Sequence, residues 1–173
     1  DLYIQPRIRN FCNTLEINNM PDIKILFLHG LEGNPEGSKP TFLKQEGYRV
    51  IAPSLPKNDW ELSVARAEDY FINFRPDVIV GSSRGGAVAV SFPTGDVPKI
   101  LVAPAWEKFK VYPLHVDETT TILHCADDKL VTFESSCTLR DSMGCRLIEC
   151  GENHRMSDAA ALDALHAVVK VVT

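Results

Sequence analysis

Six short apolar runs punctuate the chain: "IKILFLHG", "YRVIAPS", "DVIVGSS", "KILVAPA", "TILHCAD" and "RLIECGE". Most are continuous rather than alternating, the pattern of strands covered on both faces. Polar and apolar residues between the runs recur at helical spacing instead. "SKPTFLKQEG" offers Ser38 as an N-cap and Gly47 just past its end. "DWELSVARAEDYFINF" sets Leu62, Ala65, Tyr70 and Phe74 on one face and must stop before Pro76. "TFESSCTLRDSMG" ends at Gly144. "SDAAALDALHAVVKVV" spaces Ala161, Leu165, Val168 and Val172 as a helix capped by Ser157 or Asp158. This alternation predicts one α/β domain, a three-layer α/β/α sandwich with a mostly parallel sheet of about six strands. The domain is expected over residues 20–173. Residues 1–19 read as an N-terminal extension to which the sequence assigns no role.

Bulk properties narrow the partners. A chain of 173 residues with a net charge of −5 suits one soluble core and argues against nucleic acid or an anionic membrane surface. No apolar stretch approaches the ~18 residues of a membrane-spanning helix, and no signal-peptide pattern opens the chain. The five cysteines, Cys12, Cys125, Cys137, Cys145 and Cys150, form no C-x-x-C pair. No metal site or cofactor is therefore expected, and the expected compartment is the cytosol.

The first run ends in the glycine-rich "LHGLEGNPEGSKP", which invites a phosphate-loop reading. That reading fails. Gly37 is followed by Ser38 and then Lys39, the reverse of the required order, and Glu32 holds the position of the first glycine. The spacing of Gly30, Gly33 and Gly37 also misses the dinucleotide fingerprint.

In a parallel sheet, function gathers where strands end in loops at their carboxyl ends. The third run ends in "GSSRGG", where Gly81, Ser83 and Gly85 satisfy G-x-S-x-G between a strand and a helix. A serine on so tight a turn needs glycine two residues to either side, because side chains there would collide. Ser82 fits less well, since Val80 would take the first glycine position. A serine nucleophile needs a base, and the base an orienting acid, downstream in the order Ser, Asp, His. "ILHCADDKLV" presents Asp127 and Asp128 at the end of the fifth run, and "IECGENHRM" presents His154 at the end of the sixth. Asp128 is preferred because Asp-x-x-Val leads from it toward the next helix, and Asp127 stays as the alternative. Of the other histidines, His124 reads as buried and structural, His166 as lying at the core edge, and His115 as solvated.

"LHGLEG", "GSSRGG", "CADDKLV" and "GENHRM", in that order, resemble the α/β-hydrolase superfamily, above all its small, nearly lidless bacterial-type esterases and thioesterases. The resemblance runs from about residue 22 to the end. It implies a serine hydrolase acting on a small ester or thioester through an acyl-enzyme, with Ser83, Asp128 and His154 as the triad. It also implies an oxyanion hole from the backbone N–H groups of Leu31 and Arg84, supported by His29, Gly30, Gly81 and Gly85. Removing one such donor typically costs about 3 kcal/mol of transition-state stabilisation.

Arg84 departs from the pattern, since a less charged residue is usual after the nucleophile. A salt bridge to a nearby carboxylate is the expected role, with contact to an acidic substrate as the alternative. Residues 106–120, where larger relatives insert a lid, are short. Trp60 and Trp106 are candidates either for walls of an acyl pocket or for packing. Two other classes remain open: a non-catalytic α/β-hydrolase-fold binding protein and a flavodoxin-like nucleotide binder.

Overall fold

The computed structural model describes residues 22–173; the N-terminal extension, with Cys12, lies outside the described residues. Six strands form one sheet: β1 (Lys24–Leu28), β2 (Arg49–Ile51), β3 (Val78–Ser82), β4 (Lys99–Val102), β5 (Thr121–His124) and β6 (Arg146–Glu149). Their order is β2-β1-β3-β4-β5-β6, and every neighbouring pair is parallel. The four central strands are buried almost throughout, which is why they read as unbroken apolar runs, whereas the edge strands β2 and β6 are partly exposed.

The connecting helices are α1 (Ser38–Gln45), α2 (Trp60–Phe74), α3 (Arg84–Ala89), α4 (Phe133–Met143) and α5 (Ala159–Val172). Leu43 of α1 and Leu165, Val168 and Val169 of α5 pack with Ile25, Val80 and Ile100 on one face of the sheet. Ala67 of α2, Ala87 and Val88 of α3 and Leu139 of α4 pack with Leu26, Ile79 and Leu101 on the other. Three layers result, with a core on each side of the sheet. Each fully buried leucine or valine contributes roughly 1.5–3 kcal/mol from burial.

Two helices differ in detail from the sequence reading. Gly37, not Ser38, is the N-cap of α1, and no side chain caps that end. Leu62 and Ala65 of α2 are exposed, and its inward residues are Ser63 and Ala67. The helix is turned because Ser63 serves a polar partner, Arg84, which a purely apolar pattern does not reveal. The other boundaries follow their signals. Asp59 caps α2 by accepting the Leu62 N–H, Asp158 caps α5 by accepting the Ala161 N–H, and α4 ends at left-handed Gly144. Among the described residues no helix is long and apolar enough to cross a membrane.

Buried ionisable groups set an expected pH dependence of stability. Burial lowers Lys39 and Lys99 from 10.5 to about 8, and raises Cys145 and Cys150 from 9.0 to about 11. A depressed lysine leaves the unfolded chain holding more protons between pH 8 and 10.5, so stability rises with pH there. A raised thiol leaves the folded chain holding more protons between pH 9 and 11, so stability falls there. The lysines act alone at first and are then offset. The urea midpoint is therefore expected to rise from pH 8 to 9, level off, and decline as pH approaches 11. A midpoint that falls steadily from pH 8 contradicts this assignment.

Candidate active site

β3 delivers Ser83 to the carboxyl edge of the sheet. Its N–H still donates to the Val102 carbonyl at 2.8 Å, while its own carbonyl accepts from Ala87 at 3.2 Å and Ala105 at 3.0 Å. Strand pairing and helix start thus meet at one residue, which takes φ 54° and ψ −115° as the N-cap of α3. Such a backbone costs energy for a non-glycine residue and persists only where its surroundings hold it. The flanking glycines permit it. A Cβ on Gly81 would lie 2.7 Å from the Gly85 carbonyl oxygen, and one on Gly85 would overlap the Leu28 carbonyl.

His154 lies between β6 and α5, in a loop tied down from two sides. The Glu152 N–H donates to Asp158 Oδ1, and the Lys39 ammonium reaches from α1 to the Arg155 carbonyl. His154 Nε2 is 2.8 Å from Ser83 Oγ, and its Nδ1 is 2.6 Å from Asp128 Oδ2. The carboxylate accepts the Nδ1 proton, which leaves Nε2 bare and facing the hydroxyl. Asp128 follows β5 and is buried, and its Oδ1 accepts the N–H groups of Leu130 at 2.8 Å and Val131 at 2.9 Å. Burial disfavours its charge, but the bonds from Val131, His154 and Leu130 outweigh that and hold the carboxyl below its ordinary value. Asp127 points away, exposed beside Lys129. Ser83, His154 and Asp128 are therefore together, and Asp127 is not with them.

The glycine-rich loop after β1 borders the same spot. A Cβ on Gly30 would come 3.3 Å from Ser83 Cβ. A turn closed by Gly33 N–H donating to the Gly30 carbonyl carries Leu31 and Glu32 at its tip. His29 holds the loop's base, donating from Nδ1 to the Gly30 carbonyl at 2.8 Å and accepting the Leu55 N–H at Nε2 at 2.9 Å. The Leu31 and Arg84 N–H groups are bonded to no other described residue.

An open cleft of about 610 Å³ lies over Ser83 and His154, walled by Leu31, Lys39, Lys108, Phe109, Leu130 and Arg155 among others. Neither tryptophan lines it. Trp60 stacks on Phe109 with ring centroids 5.1 Å apart, and Trp106 Nε1 donates to the Ser135 carbonyl. Both pack.

The Arg84 side chain corrects the sequence reading. No carboxylate of the described residues meets it. It is 2% exposed, donates to the Pro56 carbonyl and to Ser63 Oγ, each at 2.9 Å, and lies 5.6 Å from the ring centres of both Trp60 and Phe109. Aromatic faces and neutral oxygens hold the cation here, and burial lowers its pKa.

Sequence reasoning missed two supporting residues. The sequence presents Lys39 only as part of a failed phosphate motif. It presents His124 as structural, yet His124 Nε2 is 3.0 Å from Asp128 Oδ2; its position four residues before the acid is the available signal.

No protein-family model matches the sequence, and no curated protein resembles it at a significant level. Solved structures do. A protein of Xanthomonas campestris pv. campestris assigned to the alpha/beta hydrolase superfamily is 21% identical, with a TM-score of 0.64 over 86% of this chain and 97% of that one. The esterase domain of a Rhodothermus marinus protein is 16% identical, with a TM-score of 0.62 over 89% and 87%. A lidless α/β serine hydrolase from Xanthomonas campestris is 14% identical, with a TM-score of 0.65 over 87% and 81%. The sheet, its helices and these neighbours together give the chain the fold of the compact α/β hydrolases.

Proposed function

We propose that the protein is a serine hydrolase that cleaves small carboxylic esters or thioesters through an acyl-enzyme. The observation that carries this reading is the unbroken chain from Ser83 Oγ through His154 to Asp128 Oδ2, at 2.8 and 2.6 Å, beneath an open cleft. Ser83 Oγ attacks the acyl carbon as its proton passes to His154 Nε2, and Asp128 stabilises the imidazolium. Negative charge on the carbonyl oxygen is met by the Leu31 and Arg84 N–H groups. His154 then protonates the departing alkoxide or thiolate, leaving the acyl group on Ser83. A water molecule gives its proton to His154 and attacks that ester, and His154 passes the proton to Ser83 Oγ as the acid leaves. Residues 106–120 contribute no helix over the cleft, which favours small or extended substrates over long buried acyl chains. Action in the cytosol is part of the same proposal, supported by the unpaired thiols of the four described cysteines.

The test is the intact mass after treatment with a fluorophosphonate probe. One adduct is expected, mapped to Ser83, formed much more slowly in His154→Ala. No adduct on the folded protein would turn the reading toward a binding protein of the same fold. Asp128→Asn is expected to keep the fold and lower kcat on p-nitrophenyl acetate by about 10⁴, because an amide presents the wrong group to Nδ1–H. A loss below tenfold would remove Asp128 from the triad.

A further inference from the structure

Asp128 has a second histidine. His124, the last residue of β5, is fully buried, with Nε2 at 3.0 Å from Asp128 Oδ2 and 3.2 Å from the Val131 carbonyl oxygen. Both neighbours only accept, so Nε2 carries the proton. Nδ1 is then bare and takes the hydroxyl proton of Ser136, whose Oγ lies 2.7 Å away. Burial lowers the His124 pKa despite the adjacent carboxylate, which keeps the ring neutral.

The titratable groups facing His124 are Asp128 and His154. From α4 it meets Ser136 and the Phe133 ring, and its register partner on β6, Glu149, is exposed. Asp128 thus receives four donors: two N–H groups on Oδ1 and two imidazoles on Oδ2. That fills the four or so acceptor sites of an ionised carboxylate.

We propose that His124 is a positioning residue of the triad, a neutral donor that fixes the rotation of the Asp128 carboxylate and shares Oδ2 with His154. Its kinetic consequence rests on the serine-hydrolase reading; the tautomer does not. By taking part of the charge on Oδ2, His124 limits how strongly Asp128 stabilises the protonated form of His154.

Two variants separate this role from packing. Gln places its amide nitrogen near the position of Nε2 and keeps the donor, whereas Asn places it near Nδ1 and loses the bond to Asp128. His124→Asn is expected to lower plateau kcat/KM about tenfold and move the acidic limb of the pH profile upward by about half a unit, roughly threefold in rate on that limb. His124→Gln is expected to recover most of both. Equal losses in the two variants with unmoved limbs would make His124 a packing residue and overturn the proposal.

An imidazole ¹H–¹⁵N spectrum of the wild type reads the other half. His124 should carry its proton on Nε2 and take up a second one only below the ordinary imidazole range; an Nδ1–H tautomer overturns the proposal. Should His124→Asn fail to fold, the wild-type spectrum decides alone: His124 found exchanging between its two tautomers overturns the proposal as surely as a fixed Nδ1–H. If the wild type forms no fluorophosphonate adduct while His124 holds the Nε2–H tautomer, the hydrolase reading fails and the kinetic role falls with it.

Discussion

Ser83→Ala is expected to lower kcat on p-nitrophenyl acetate by about 10⁵–10⁶ while the protein stays folded, since nucleophile and base act as one unit. In the proposed reaction the hydroxyl is the atom that bonds to the acyl carbon, and among the described residues no other side chain stands 2.8 Å from His154 Nε2. What should survive is the stabilisation supplied by the proposed oxyanion donors, typically about 10³–10⁴ above the reaction in water. Stability should change little, because serine and alanine carry similar strain at φ 54°. Turnover and thermal unfolding measured on the same preparation decide the matter. Retention of more than about a hundredth of the activity would place the nucleophile elsewhere, against the scale of loss expected of a triad serine.

Gly85→Ala is expected to be the most damaging single-methyl change in the chain, costing about 4 kcal/mol or more, in the range reserved for severe backbone conflict. The added Cβ would overlap the Leu28 carbonyl and lie 2.7 Å from the carbonyl oxygen of His29. Both obstacles are backbone at the end of β1, so no rotamer change relieves them. Either α3 or β1 must shift, and each carries a flank of the candidate site. Gly95 is the matched control: its φ is +55°, but nothing lies within 4 Å of a Cβ there. Its alanine variant should cost only the ~1 kcal/mol scale of an unfavourable backbone angle. Equal urea midpoints for the two variants would show that space around Gly85 does not limit it.

The elements that read best from the sequence are those whose pattern has one physical cause. β1, β3, β4 and β5 are buried on both faces, so their apolar runs are unbroken and their ends fall at polar residues. The triad candidates were legible because each stands where an apolar run stops. Asp128 was separable from Asp127 only through its lead into α4, and the structure gives the reason: Oδ1 caps the turn through Leu130 and Val131 while Oδ2 is left for histidine.

What escaped the sequence is polar and long-range. α2 turns a serine inward because a guanidinium from 21 residues further on needs an oxygen. Nothing near Ser63 in the chain announces that partner. Arg84 likewise suggested an ion pair, since an arginine's neighbours in sequence do not disclose that two aromatic rings will flank it. Lys39 bridges 116 residues to the Arg155 carbonyl, a contact that no local spacing encodes.

Residues 55–63 hold no member of the proposed triad, yet they grip both flanks of Ser83. Leu55 donates to His29, at the base of the glycine loop, and Pro56 and Ser63 hold the side chain of Arg84, the residue after Ser83. The two N–H groups proposed to receive the oxyanion therefore share one mechanical anchor. The Arg84 N–H is tied to Ser83 by the peptide bond, so a shift of that anchor would move chiefly the Leu31 donor and change the spacing between the two. Adaptation to a differently sized carbonyl substituent could then proceed through a segment that never touches the substrate.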